Sequence, residues 1–255
     1  MVTVAILQAR ITSSRLPGKV LAPILGVPMV IRQIERLERA AGIDELVVAT
    51  STDASDDPLV EALTARRITV VRGPLDDVLD RFIVAMDAHP SDAVVRLTAD
   101  CPLASPVVID RVISAFHDSG ADYVSNTMQP SFPDGLDVEV VRAAVLREVA
   151  GIATDPPERE HVTLGVYRRH ESYDIRNVAG EQDLSGLRWT VDIPEDLVFV
   201  TAVYEALYPG NPAFDLPEIL ELLREHPELS RTTDDSERNA ALRGLDTGAM
   251  RMDGN

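Results

Sequence analysis

A chain of 255 residues, 45% hydrophobic and 26% charged, has ordinary globular composition and room for one large domain or a domain carrying a subdomain, which excludes disordered and fibrous classes. Its 24 basic and 42 acidic residues leave a net charge of −18, so the molecule as a whole repels nucleic acid and acidic membranes, and an anionic substrate needs a local basic patch. One cysteine, Cys101, excludes an internal disulfide framework and a cysteine zinc cluster, and fits a reducing, cytoplasmic compartment.

The first apolar run, Val2 to Leu7, is too short for a signal-peptide core and has no basic region before it. The longest later run, Val20 to Ile31, contains Pro23, Gly26 and Pro28 and falls far short of the roughly 20 residues that span a bilayer. Neither a membrane nor a nucleic-acid partner is expected. Strands are predicted at 2–7, 46–50, 68–71 and 93–98, with a further one at 187–191; their β-branched runs alternate with helices starting near Pro28, Pro58, Asp77 and Pro106. This βαβ rhythm predicts an α/β fold with an open, mostly parallel, doubly wound, Rossmann-like sheet. The rhythm breaks between residues 126 and 186, where a short strand at 136–140 and helices near 141–149 and 158–168 read as an inserted α+β subdomain. The main fold resumes at Pro194, whose following acids fit a helix first turn, and extends to residue 227. Residues 228–255 are a polar arm or tail, docked or frayed.

No Asp or Glu precedes Glu35. Within that acid-free stretch Arg10, Arg15 and Lys19 all lie on the loop after the first strand, which in an open α/β sheet sits at the carboxyl edge where ligands bind. Lys19 is the single lysine, against 23 arginines; a compact ammonium that follows charge on a phosphate is one reason to retain it, a solvated loop position the other. Gly18-Lys19 is not a P-loop, because Ser13 and Val20 stand where that motif needs Gly and a hydroxyl.

The segments Ile6-Leu-Gln-Ala-Arg-Ile-Thr-Ser-Ser-Arg-Leu-Pro-Gly-Lys19, Val95-Arg-Leu-Thr-Ala-Asp-Cys-Pro-Leu103, Pro133-Asp-Gly-Leu-Asp-Val-Glu139, Arg159-Glu-His-Val-Thr163 and Leu187-Arg-Trp-Thr-Val-Asp-Ile-Pro-Glu-Asp-Leu197 together resemble the cytidylyltransferase superfamily of CMP-acylneuraminate and CMP-KDO synthetases, most closely its spore-coat polysaccharide branch. The resemblance implies a nucleotide-diphospho-sugar transferase type of sheet and transfer of CMP from CTP to an acidic sugar or related polysaccharide precursor, with release of pyrophosphate. It implies that Arg10 and Lys19 contact the triphosphate, with Leu7, Ala9 and Ser13 or Ser14 beside it and Arg72 facing the nucleotide. It also implies a homodimer formed through the insertion.

Asp100 and Asp192 each follow a predicted strand, which brings both to the edge that carries the Lys19 loop. Two hard oxygen ligands completed by phosphate oxygens and water suit Mg²⁺, and the resemblance points to the same pair. Lys19, Arg10 and Asp100 are therefore the expected catalytic set, with Asp100 and Asp192 as metal ligands. Asp137 and Glu139, with Asp134 nearby, fit either an acceptor subsite or the wet face of a plain strand. Arg159 and His161 fit an acceptor carboxylate or phosphonate, because a guanidinium forks onto such groups. Cys101 reads as packing and not as a nucleophile. Two rivals remain. A nucleotide-sugar glycosyltransferase typically needs an Asp-x-Asp, where this chain has Thr98-Ala-Asp100, and an inactive nucleotide-binding scaffold would lack turnover.

Overall fold

The computed structural model describes residues 1–13, 15–232 and 251–252. The chain opens with β1 (Thr3–Gln8), then a small hairpin of β2 (Pro23–Ile24) and β3 (Val27–Pro28), α1 (Met29–Leu37), β4 (Glu45–Ser51), α2 (Asp57–Thr64), β5 (Val70–Gly73), α3 (Val78–Ala88) and β6 (Ala93–Thr98). It continues through α4 (Pro106–Ser119), β7 (Tyr123–Ser125), β8 (Glu139–Arg142), α5 (Ala143–Ile152), α6 (Pro156–Glu160), α7 (Leu164–Arg168), β9 (Ile175–Asn177), α8 (Pro194–Leu207), α9 (Leu216–Glu225) and β10 (Arg251–Met252). Local chemistry sets the helix starts: Asp77 caps α3 through the Asp80 amide at 2.8 Å, and Ser105 caps α4 through the Val108 amide at 3.2 Å. Gly120, at φ 66°, ends α4 in the left-handed conformation.

Eight strands form one sheet in the order β10-β9-β7-β8-β6-β1-β4-β5. β1 lies between β4 and β6 and is parallel to both. The chain therefore winds outward on one side through β4 and β5, then returns to place β6 on the other side of β1. That reversal makes the carboxyl edge of β1 and β6 a topological switch point, where loops diverge and leave a crevice. β8 joins the same sheet antiparallel to β6 and β7. Residues of the 126–186 stretch thus extend the main sheet as well as interrupting its rhythm.

The alternating faces of the strands feed two apolar layers. One holds Ile31, Ile34 and Leu37 of α1, Ile109 and Val112 of α4 and Phe199 and Val203 of α8. The other holds Leu79 and Phe82 of α3, Leu146 and Val149 of α5 and Val166 of α7. Helices on both faces give the doubly wound arrangement, and no helix among the described residues is long and apolar enough to cross a membrane.

Three expected elements differ. The helix expected near 158–168 is two short helices, α6 and α7, because Val162 takes φ 41° between them. The strand expected at 136–140 pairs only from Glu139; before it, the Asn126 side chain donates to the Leu136 carbonyl and accepts from the Val138 amide, both at 2.8 Å, in place of a partner strand. The strand expected at 187–191 is an extended segment held by isolated bridges, Arg188 to Asp134 and Leu187 to Thr232. β7, β9 and α9 lacked a clear signal, the first two because three-residue strands are too short to display alternation. Of the C-terminal arm, Pro227–Leu229 form a 3-10 turn and β10 pairs with β9; residues 233–250 and 253–255 lie outside the described residues.

Gly135 fixes the 187–191 segment against the sheet. Its φ is 110°, and a Cβ there would stand 2.8 Å from the Trp189 carbonyl carbon. The Asp134 amide donates to Leu187 at 2.9 Å and the Trp189 amide to the Asp134 carbonyl at 2.6 Å. Gly135→Ala should therefore cost about 2 kcal/mol or more, read as a lower denaturant midpoint at unchanged slope, because it combines a forbidden φ with a backbone collision.

Candidate active site

The loop after β1 is held at both ends. Buried Asp56 accepts from the Ile11 amide at 2.7 Å and from the Ser51 amide at 3.1 Å, and the Gly18 amide returns to the Ile11 carbonyl at 3.0 Å. Gly18, at φ 75°, then turns the chain into a short 3-10 turn that begins with Lys19. Lys19 is 9% exposed. Its ammonium donates to Asp192 Oδ1 at 2.9 Å, to Asp100 Oδ2 at 3.3 Å and to the Val191 carbonyl at 2.7 Å. All three donor hydrogens are thus committed.

The two acids are brought to this point by different means. Asp100 follows β6, whose end is tied to β1 by the Ala99 amide donating to the Gln8 carbonyl at 3.0 Å. Asp192 follows the Trp189 segment, which the Val191 amide ties to the Asp100 carbonyl at 2.8 Å. Beyond it, Asp196 in the first turn of α8 accepts from the Asp192 and Ile193 amides at 3.0 and 3.2 Å. Arg15 and Arg188 reach Asp192 Oδ2 at 3.0 and 2.8 Å.

The charges respond to this enclosure. Burial works against the Lys19 charge, but Asp100 and Asp192 outweigh it and hold the ammonium pKa above its ordinary value. Burial likewise opposes ionisation of Asp192, and Lys19, Arg15 and Arg188 overcome it and hold that carboxyl below the ordinary range. Cys101, beside Asp100, is pushed well above its ordinary value by burial and then by the Asp100 charge. It remains a thiol, which fits packing and not nucleophilic chemistry.

Around this centre lies a cavity of about 810 Å³, lined by Gln8, Ala9, Arg10, Ser13, Arg15, Lys19, Arg81, Arg96, Asp100, Arg159, His161 and Asp192 among others. A volume of that size suits a small-molecule substrate. Arg10 and His161 are exposed at its wall. Arg159 lines it with its guanidinium committed: Nε and Nη2 donate to Asp77 at 2.8 and 2.5 Å, and Nη1 to the Ala150 carbonyl at 3.0 Å. Ser14 lies outside the described residues.

Four expected site residues do not line the cavity. Leu7, within β1, is fully buried in the core. Arg72 sits on the edge strand β5 and spends its donors on the Ser51 and Asp53 carbonyls and on Asp57, at 2.8, 3.0 and 2.8 Å. Asp137 is absent from the lining, and Glu139 lies beneath the floor. There Glu139 accepts from Arg96, from Thr163, and from Tyr167 and Tyr123 at 2.6 and 3.0 Å. Arg96 itself is a floor residue that sequence reasoning missed. It stands two residues before Thr98 and four before Asp100, and that even spacing was the available signal, since a strand's period of two puts such positions toward one face.

An acid pair and a cationic loop converge at the switch point of an open α/β sheet, the edge at which such folds bind their ligands. The chain matches the sequence model of the cytidylyltransferase family over residues 4–180. It is 32% identical over 230 residues to the spore coat polysaccharide biosynthesis protein SpsF of Bacillus subtilis, covering 88% of this chain and 94% of that one. It is 31% identical over 247 residues to a 3-deoxy-manno-octulosonate cytidylyltransferase of Anaeromyxobacter dehalogenans, covering 95% and 91%. Among solved structures, a cytidylyltransferase from Leptospira borgpetersenii superposes with a TM-score of 0.86 at 27% identity, covering 92% of this chain and 98% of that one. The chain therefore belongs to the cytidylyltransferase family and is a nucleotidyltransferase.

Burial opposes ionisation of Glu139, yet Arg96 and the three hydroxyl donors hold its carboxyl below the ordinary 4.5. Its contribution to stability is therefore complete above the unfolded-state value and is lost as pH falls through the folded one. Glu139→Gln should cost about 3–5 kcal/mol at neutral pH, because it strands the Arg96 charge. The variant's unfolding free energy should also fall less steeply than the wild type's below pH 4.5; parallel acid limbs would remove Glu139 from that linkage.

Proposed function

We propose that this protein transfers CMP from CTP to the nucleophilic oxygen of a small anionic acceptor, releasing pyrophosphate. The relatives' names favour a KDO-like sugar or a related polysaccharide precursor as the acceptor, and a sialic-acid-like sugar belongs to the same class of acids. The observation that carries this reading is the buried Lys19 ammonium between Asp100 and Asp192 on the floor of the cavity, within a cytidylyltransferase chain. A single buried cysteine kept as a thiol fits a reducing, cytoplasmic location.

Attack on the α-phosphorus in line with the leaving pyrophosphate builds negative charge on the departing oxygens and spreads it over the equatorial ones. Exposed Arg10, and Lys19 once it exchanges one of its carboxylate hydrogen bonds for a phosphate oxygen, neutralise the departing side, and Ser13 adds a hydroxyl on the same loop. Arg159 serves the acceptor side by holding α6 to Asp77, so that His161 keeps its place on the wall. No covalent enzyme intermediate is required, because positioning and charge stabilisation account for such a displacement.

The donor set fits a divalent cation. Two carboxylates, Asp100 and Asp192, converge on a point that already holds a positive charge. That matches Mg²⁺, which takes one or two carboxylates and completes its shell with water and phosphate oxygens. Asp100 and Asp192 would hold it, and it would supply Lewis-acid stabilisation of the phosphoryl oxygens.

Mixing the protein with CTP, Mg²⁺ and a panel of sugar acids, with a phosphonate as a further member, should give acceptor-dependent pyrophosphate release. A glycosyltransferase would release none, and a scaffold would bind CTP without acceptor-dependent turnover. Lys19→Ala should lower kcat by about 10² to 10³ with the fold retained by circular dichroism; wild-type turnover in that variant would remove Lys19 from the mechanism.

A further inference from the structure

A second cavity, of about 240 Å³, lies away from the nucleotide cavity, between α1 and the α8–α9 pair. Arg32, Arg36 and Arg39 line it from α1 and the turn that follows, facing Tyr204 and Tyr208. Arg32 is fully engaged: it pairs with Glu35 at 2.9 Å, donates to the Ile24 carbonyl at 3.2 Å and lies 4.3 Å over the Tyr208 ring.

Arg36 and Arg39 are not. Arg36 is 2% exposed and uses Nε on the Ala104 carbonyl at 2.7 Å and Nη2 on Asp215 at 3.4 Å, but its Nη1 is buried without a hydrogen bond. Arg39 gives Nη1 to the Pro212 carbonyl at 3.3 Å, while its Nε and Nη2 are both buried without a partner. Nε and Nη2 form the side-on fork with which arginine grips an oxyanion. Three orphaned donors on two neighbouring guanidiniums are costly to bury unmade. Burial, followed by the like charge of Arg39, depresses the Arg36 pKa despite opposition from Tyr204 and Asp215.

We propose that this cavity is a phosphate-binding subsite, separate from the nucleotide cavity, that takes free phosphate or the phosphate group of a small metabolite. Unpartnered N–H donors on two guanidiniums suit an oxyanion, and Glu35, the acid that also lines the cavity, is offset by its pair with Arg32 at 2.9 Å. The surrounding protein carries −18, so phosphate does not adsorb here through a general positive field and must be drawn by these donors.

The placement gives the subsite a consequence. Arg36 holds the Ala104 carbonyl, Tyr204 donates to the Pro102 carbonyl at 2.8 Å, and Gln33 donates to the Thr98 carbonyl at 2.8 Å. These three contacts clasp the back of the loop that carries Asp100. α8, which bears Tyr204, begins two residues after Asp192. A phosphate seated on Arg36 and Arg39 therefore braces the support of both acids.

Calorimetric titration at constant ionic strength tests the subsite, with inorganic phosphate and glycerol 3-phosphate as separate probes. Wild type and Lys19→Ala should both show saturable binding of at least one probe, which keeps the subsite distinct from the nucleotide cavity. Arg39→Gln should weaken that binding at least about tenfold, and Arg39→Lys should also weaken it, because charge without the fork loses the paired hydrogen bonds. Arg39 is half-buried with a single backbone bond, so thermal unfolding of the variants should report a retained fold. No saturable binding in the wild type, loss of binding in Lys19→Ala, or wild-type affinity in Arg39→Gln would overturn the subsite.

Discussion

One buried ammonium organises the centre of this molecule. Lys19 joins Asp100, 81 residues away, to Asp192, 173 residues away, so three loops from distant parts of the chain close on a single positive charge. The low dielectric around it strengthens both attractions, and the same low dielectric would make any one of the three groups expensive to leave alone. Asp192 is further held by Arg15 and Arg188. Cationic side chains are thereby gathered at one edge of a strongly acidic protein, which is the condition for receiving a polyphosphate.

A second polar centre beneath the floor joins the nucleotide edge to the outer helices. Glu139 binds Arg96 on one oxygen and three hydroxyl groups on the other. Arg96 also donates to Gln8 at 3.1 Å, while Thr163 and Tyr167 belong to the segment that carries His161. The break at Val162 between α6 and α7 leaves Thr163 free to turn inward to Glu139. This arrangement ties the cavity wall that carries His161 to β6, the strand that positions Asp100. The acidic residue that looked like an acceptor contact acts instead as the fastener of the wall.

The arginines of α1 show how the support behind a site acquires chemistry of its own. Gln33 and Arg36 face the core side of the Asp100 loop and satisfy its carbonyls. Arg39, a further turn along, continues the same stripe with its fork unused. The helix therefore stabilises the loop, while the turn that follows it leaves Nε and Nη2 of Arg39 without a partner.

The β-branched runs, the proline-led helix starts and the acid-free N-terminal stretch were sufficient to derive the open parallel sheet and to place Lys19 and Asp100 at its carboxyl edge, because strand period and helix capping are local properties. The convergence of Asp192 was legible from its position after an apolar segment, although that segment is tethered by Gly135 and not paired as a strand. The commitment of each arginine was not legible. Whether Arg72, Arg159 or Arg96 meets a substrate or another side chain depends on which carboxylates and carbonyls arrive beside it from elsewhere in the chain. Tertiary packing alone decided that Arg72 would close a sheet edge, that Arg159 would hold Asp77, and that Glu139 would be buried under the floor, since a charged group's partner is fixed by proximity in space and by desolvation, and neither is written in its neighbours along the chain.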